Sequence, residues 1–414
     1  MIDQNLIRIE PEKVKEGLSA KRINPVLVDD FLTVDKKWRE TVKKIDDGRA
    51  AQKQLSAERK IEESKKLKEE IRRLEGELVD LEKERDAVLN RFPNLPFPDV
   101  PRGKSEEENI VLREEGQKPK FEFSPKDYLE IGEKLGLIDV KKAAEVSGSR
   151  FGYLERDAVL LEFGLVSLAL ETLTAEGFIP VIPPVMIKPE VYRGMGRLST
   201  DQEEERYFLP KDDLYLVGSS EHTIGPLHRN DVFEEKDLPR RYVGFSTCFR
   251  REAGSYGKDT KGILRVHQFD KVEMFAYSKP EDSEREHKFL LSMQEKLVKK
   301  LELPYRVMEI CTGDMGFTDA RQFDVETWLP GQGKYRETNS CSNTTDFQAR
   351  GTNVRYRPVS KDGKSKPEFV YMLNATAFAI GRVLIAIIEN YQQKDGSVAV
   401  PKALQKYLNK EIIK

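Results

Sequence analysis

Apolar residues recur at steps of four, three, four, three and seven from Leu67 through Ile71, Leu74, Leu78 and Leu81 to Val88, with Arg85 in the slot the pattern leaves open. This is the heptad spacing of a helix that packs one seam against a partner helix. The stretch before it carries Phe31, Val34, Trp38, Val42, Ile45 and Leu55 at similar but looser spacing, and Gly48 and Gln52 weaken its middle. A polar stretch near 58–64 separates the two runs. Residues 26–94 are therefore expected to form an antiparallel coiled-coil hairpin, whose helices of roughly 30 residues would each span about 45 Å.

The segment 92–104, FPNLPFPDVPRGK, holds four prolines. It ends the second helix and reads as a semi-rigid linker. Beyond it the pattern changes. Tyr242–Phe249, Lys271–Tyr277 and Phe369–Leu373 have strand character, whereas 153–176, 283–302 and 375–392 have helical periodicity. Without regular βαβ alternation, this mixture predicts an α+β domain: an antiparallel sheet flanked by helices. The expected division is an N-terminal domain over 1–105, containing the hairpin and linker, and a second domain over 106–414.

Net charge changes the picture in one place. The chain as a whole carries a formal charge of −2, so it is no polycation, and contact with nucleic acid requires a local basic surface. Residues 49–73, at the far end of the hairpin, hold 9 Lys+Arg against 5 Asp+Glu, a net of +4. A basic tip suits a phosphate backbone, although a solvated helix face laced with ion pairs has the same composition. Cys248, Cys311 and Cys341 are scattered and odd in number, and they read as free thiols of a reducing cytosol. The N-terminus MIDQNLIRIE has no signal-peptide pattern, and no apolar run approaches the 18 residues of a membrane span.

Three blocks in the second domain carry candidate chemistry. Gly177–Pro184 is a helix end running into a segment whose Pro183 and Pro184 cannot donate to a ladder, which predicts an edge strand or subunit boundary. Cys248-Phe-Arg-Arg-Glu-Ala-Gly-Ser-Tyr-Gly257 puts Arg250 and Glu252 on one face of a strand, and a Gly-rich turn follows. The returning strand brings back Arg265, Phe269 and Glu273. Paired arginines, paired carboxylates and an aromatic ring around a glycine loop suit a triphosphate and an amino acid. In Leu373-Asn-Ala-Thr-Ala-Phe-Ala-Ile-Gly-Arg382, Arg382 is the lone charge of an apolar stretch, and a guanidinium there could cover an adenine face.

These blocks resemble motifs 1, 2 and 3 of the class II aminoacyl-tRNA synthetases. The finer wording is similar to the seryl-tRNA synthetase family. Phe249–Phe275, Cys311–Phe317, Glu337-Thr-Asn-Ser-Cys-Ser-Asn343, Asp346–Arg350 and Glu389-Asn-Tyr-Gln-Gln393 carry the likeness, with the heptad hairpin as the tRNA-binding arm. The resemblance covers essentially the whole chain.

That resemblance implies serine activation by ATP and transfer of the seryl group to tRNA(Ser), and also to tRNA(Sec) where present, by a cytoplasmic homodimer with no membrane attachment. It implies a serine site of Ser219, Ser220, Glu221, Arg250, Glu273, Asn374 and Thr376. Its ATP site would comprise Arg250, Arg251, Glu252, Arg265, Phe269, Glu337, Thr338, Asn339, Ser340 and Arg382. Arg250 and Arg382 would be catalytic, and Glu337 and Ser340 would hold Mg2+. The chain departs from the bacterial pattern in Ser219-Ser220-Glu221, where Thr-x-Glu is usual, in Asn339, where Ser is common, and in Ala375-Thr376. His222 and His228 are also unusual there. Alternatives from the residues alone are a relative that loads an amino acid onto a carrier protein, an inactive RNA-binding paralogue, and a coiled-coil interaction protein.

Overall fold

A computed structural model gives the fold and describes residues 1–253, 259, 261–360 and 365–414. The Gly-rich turn expected at 254–257, with Lys258 and Thr260, lies outside the described residues. The chain forms two compact units, Met1–Leu95 and Pro96–Lys414.

In the first unit, α1 (Gln4–Ile9) and α2 (Pro11–Ala20) precede the long helices α3 (Val26–Ala57) and α4 (Ile61–Leu89). The heptad seam packs as its spacing predicts: Ile45, Ile71 and Leu74 are buried together, with Leu67 and Leu78 against them. Gly48 has a use beyond weakening its helix. A Cβ there would come within 3.1 Å of Ile71 Cγ1, so the glycine lets the helices approach. Arg85 is a hub. Its Nε donates to Asp35 Oδ1 at 3.0 Å and its guanidinium lies 4.4 Å from the Trp38 ring centroid. Asp35 is wholly buried and also accepts from Arg8 Nη2 (2.6 Å) and Arg39 Nε (2.9 Å). Burial alone would raise its pKa, but the bonds from Arg8, Arg39 and Arg85 hold it below the usual carboxylate range.

The second unit is built on an eight-stranded sheet. In chain order its strands are β1 (Ile110–Glu115), β2 (Ile179–Val181), β3 (Arg240–Phe249), β4 (Gln268–Ser278), β5 (Tyr305–Glu309), β6 (Arg321–Leu329), β7 (Lys334–Asn343) and β8 (Tyr371–Ala379). Their spatial order is β1-β5-β6-β7-β8-β4-β3-β2. All neighbours are antiparallel except β2 and β3. The proline-blocked segment thus forms a short edge strand, as its missing donors require.

Helices α5 (Asp157–Thr174), α7 (Ser283–Lys300) and α8 (Ile380–Asn390) cover one face. The short helix α6 (Glu221–Ile224) lies between β2 and β3 in sequence. Strand alternation sorts the side chains. Val272, Met274 and Ala276 of β4, Cys341 of β7 and Ala375 of β8 enter the core shared with α5, α7 and α8, while Phe275 and Tyr277 join a second core on the opposite face.

Two expectations are corrected. Helical periodicity at 375–392 begins too early, because Tyr371–Ala379 is a strand paired on both sides and the helix starts at Ile380. Here tertiary pairing overrides local pattern. The compact units divide at Leu95/Pro96 and not at 105/106, because the proline segment is bound to the second unit. Phe97 N donates to Ala320 O (2.9 Å), Thr312 N to Pro101 O (2.9 Å) and Gly313 N to Gly103 O (3.1 Å), and Val100 packs with Met308, Ile310 and Met315. Among the described residues no helix is long and apolar enough to cross a membrane, and the three cysteines are buried free thiols.

Candidate active site

The side chains that alternation turns away from the helical core open onto a cavity of about 550 Å³. From β4 come Phe269, Lys271 and Glu273, from β7 Glu337, Thr338, Ser340 and Ser342, and from β8 Asn374 and Thr376. Ser219, Glu221, Arg250, Glu252, Arg265 and Arg382 complete the predicted residues on its wall. Three predicted residues lie elsewhere. Ser220 is fully buried behind the wall, Arg251 is exposed with its amide bonded to Glu205 O, and Asn339 is fully buried beneath the sheet face. Their polar sequence surroundings do not distinguish wall from backing.

Two β-bulges shape the floor. Val325 pairs with Asn339 and Glu326 with Glu337, so Thr338 is an extra residue in β7. Val272 pairs with Phe378 and Glu273 with Thr376, so Ala377 is an extra residue in β8. A bulge re-aims the neighbouring side chains, and Glu337 and Thr338 accordingly both reach the cavity. Beside the bulges β7 and β8 part: their ladder covers only Cys341–Asn343 and Leu373–Ala375. Side-chain amides bridge the gap. Asn339 Nδ2 donates to the carbonyls of Thr376 (3.0 Å) and Ala377 (2.7 Å), and Gln294 Nε2 of α7 donates to those of Ser340 (2.8 Å) and Thr376 (2.9 Å).

At one end of the cavity two buried carboxylates hold different states. Glu221 is paired with Arg197, Nη2 to Oε1 at 2.6 Å. Although burial opposes ionisation, Arg197 and His222 hold Glu221 well below the usual range. Glu273 meets Lys271 Nζ at 2.8 Å and accepts from Thr376 Oγ1 at 3.1 Å. Burial outweighs Lys271 there and, with the nearby charge of Glu221, raises Glu273. The arrangement offers one carboxylate to a cation and a second polar group, with Thr376, to a hydroxyl.

Arg250, Arg265 and Arg382 also line the cavity, the last two paired with carboxylates. Arg250 Nε donates to Gly218 O at 3.1 Å and its guanidinium lies 5.2 Å from the Phe269 ring centroid. Arg265 pairs with Asp259 (3.3 Å) and approaches Glu252 (3.6 Å). Glu252 has φ of 54°, a left-handed conformation costly for a side-chain-bearing residue. Arg382 Nη1 lies 3.1 Å from Glu337 Oε2 and donates to Glu337 O at 3.0 Å. Beside them, Gln322 Nε2 donates to both Asp324 Oδ1 (3.0 Å) and Ser340 Oγ (3.2 Å). Burial and the charge of Glu337 push Asp324 well above the carboxylate range, whereas at Glu337 burial is outweighed by Arg382, which holds it below that range. No group of three or more His, Cys, Asp or Glu side chains is assembled for a metal among the described residues. Glu337 and the Ser340 hydroxyl on the wall, with Asp324 linked to Ser340 through Gln322, nonetheless form an oxygen donor set of the kind a hard divalent cation prefers.

Sequence reading assigns no site role to Arg197, Arg206, Lys271, Asp319 or His222, all on this wall. Lys271 is findable, standing two residues before Glu273 on the same strand face. Arg197 and Arg206 lie in an irregular stretch with no periodicity to read.

An antiparallel sheet with helices on one face and this arginine–carboxylate cavity on the other defines the catalytic core of a class II aminoacyl-tRNA synthetase, and residues 206–391 match the tRNA synthetase class II core domain (G, H, P, S and T). Residues 1–96 match the seryl-tRNA synthetase N-terminal domain. The chain belongs to the seryl-tRNA synthetase family. It is 43% identical over 420 residues to the serine–tRNA ligase of Dictyoglomus turgidum, covering 99% of this chain and 98% of that one. The fold is similar to the crystal structure of seryl-tRNA synthetase from Pyrococcus horikoshii complexed with ATP, with TM-score 0.93, 41% identity, and coverage of 100% of this chain and 99% of that one. The cytoplasmic serine–tRNA ligase from Naegleria fowleri in complex with AMP is also similar, with TM-score 0.89, 34% identity, and coverage of 100% and 99%.

Proposed function

We propose that this protein activates serine with ATP, releasing diphosphate, and transfers the seryl group from the adenylate to the 3′ end of tRNA(Ser), releasing AMP, with tRNA(Sec) a second acceptor where present. The observation that carries this reading is that one cavity gathers Arg250, Arg265 and Arg382 with two buried, separately paired carboxylates, Glu221 and Glu273. The serine carboxylate is already ionised at neutral pH, so adenylate formation needs no general base. Catalysis is positioning plus charge stabilisation.

Arg250 would hold the α-phosphate and the serine carboxylate in a fork, with Glu252 on the adenine amino group. Phe269 and Arg382 would sandwich the adenine, the Arg382 guanidinium also approaching the γ-phosphate, which Arg265 would take. Glu221 would receive the α-ammonium of serine, while Glu273 and Thr376 would hold its hydroxyl. A subsite built to bond a hydroxyl rejects alanine because its own buried polar groups would be left unpaired. Glu337 and Ser340, with Asp324 beside them, would hold Mg2+, which when bound neutralises phosphate charge.

The basic tip of the helical hairpin would contact the tRNA backbone. The protein would act in the cytoplasm as a homodimer. Exposed Leu160 and Phe163 of α5, exposed Ile179 of β2, and Ile182 just beyond that strand and 85% exposed, favour a covered face there. ATP–pyrophosphate exchange across the twenty amino acids, followed by charging of tRNA(Ser), tests the reading. Exchange should depend on serine, and exchange with another amino acid alone would refute it.

A further inference from the structure

Among the groups around Glu221, His222 has a geometry that the chemistry above leaves unused. It is buried, 3% exposed, on the short helix α6 at the cavity wall, and its ring packs 4.9 Å from that of Tyr192. The Gly218 backbone N–H donates to Nδ1 at 3.2 Å. A backbone amide can only donate, so Nδ1 carries no proton. The Tyr192 hydroxyl, 2.8 Å from the same nitrogen, must therefore donate to it as well. With the one lone pair of Nδ1 shared between these two donors, the proton of the neutral ring is confined to Nε2. Burial, reinforced by the nearby positive charge of Arg206 and Arg197, pushes His222 down to about 3 despite Glu221, so the ring stays neutral across the working pH range.

Nε2 lies 3.3 Å from Glu221 Oε1, the same oxygen that Arg197 Nη2 approaches at 2.6 Å. Both contacts go to one carboxylate oxygen. We propose that His222 is a positioning residue of the amino-acid subsite: its Nε2–H and Arg197 together fix Oε1 of Glu221, which orients Oε2 toward the α-ammonium of serine. The inference rests on the assignment of Glu221 to that ammonium. Tyr192 and the Gly218 amide act one step further back by setting the tautomer.

Asparagine and glutamine separate the two ring nitrogens. His222→Asn can keep an acceptor near the position of Nδ1 and lacks the donor at Nε2, whereas His222→Gln can place an amide N–H near Nε2. In serine-dependent pyrophosphate exchange by the full-length protein, His222→Asn is expected to raise KM for serine by about tenfold or more, the loss of a hydrogen bond to a charged group. Its kcat and KM for ATP should stay within about twofold, because the amino acid is held alike in the ground state and the transition state and only that uniform binding is lost. His222→Gln should recover most of the loss. An unchanged serine KM in His222→Asn, equal damage to kcat and both KM values, or a glutamine variant no better than asparagine would each overturn the proposal. Should the asparagine variant fail to fold, the glutamine variant decides: a serine KM within about threefold of wild type supports the role, and a tenfold rise removes it. Failure of the wild-type protein to exchange with serine is a separate outcome that defeats the functional reading itself.

Discussion

Asn339 joins the two bulges of the cavity floor: it follows the extra residue of one strand, and its Nδ2 donates to the carbonyl of Ala377, the extra residue of the other, at 2.7 Å. The side chain is wholly buried, and its Oδ1 accepts from Thr338 Oγ1 at 2.7 Å. Replacing it with alanine would remove both amide bonds to β8 and leave the Ala377 carbonyl without its amide partner. Asn339→Ala should therefore lose about 1–3 kcal/mol of stability in a denaturant titration and raise KM for serine. A variant as stable as wild type would show that the amide does not bridge the strands.

Arg382 is the partner that holds Glu337 ionised beside Asp324. Arg382→Ala would remove a cation from the phosphate end and leave Glu337 without its ion-pair partner. We expect pyrophosphate exchange to fall by about 10²–10³-fold, the usual effect of losing a group aimed at developing charge. Exchange near the wild-type rate would refute the role given to this arginine.

Lys66, Lys68, Arg72 and Arg73 are exposed near the tip of the helical hairpin. Their joint replacement by glutamine should leave pyrophosphate exchange unchanged, weaken tRNA charging, and flatten the dependence of tRNA affinity on salt. Unaltered charging kinetics with an unaltered salt slope would remove the hairpin from RNA recognition.

Asp35 gives the first unit a pH dependence whose sign follows from its bonds. Its folded-state pKa lies below the ordinary 3.8, so the stabilisation is fully present above that value and is lost as pH falls through the lower one. Asp35→Asn should destabilise the hairpin at pH 7, with the difference from wild type shrinking below about pH 4 in circular-dichroism melts. A difference independent of pH would mean that shape and not charge matters at this position.

Ile182 is 85% exposed just past an edge strand. If that face lies between two copies, sedimentation should give a dimer for the wild-type chain and a smaller species for Ile182→Asp. A wild-type monomer would contradict the assembly.

The hairpin is readable from its sequence because a heptad is a local, repeated signal. Even there, Arg85 looks like a gap in the seam, since its partner Asp35, shared with Arg8, lies far away in the chain. Phe269 and Glu273 are legible through strand alternation, whereas Arg250 and Glu252, expected on one strand face, lie beyond the end of β3 at Phe249, and Glu252 turns left-handed with φ of 54°. The inward turn of Asn339 is not: every residue from Glu337 to Ser340 is polar, so nothing in the pattern marks a bulge or says which side chain points into the protein. Arg197 meets Glu221 across an irregular stretch, and such pairing leaves no periodic trace.

A flat strand is a ruler whose same-face graduations stand roughly 6.6–6.8 Å apart. The extra residue at Thr338 breaks that spacing and lets two consecutive side chains, Glu337 and Thr338, reach the same enclosure. The sheet thereby crowds its reactive groups more tightly than its own pleat allows, without adding a strand or lengthening one.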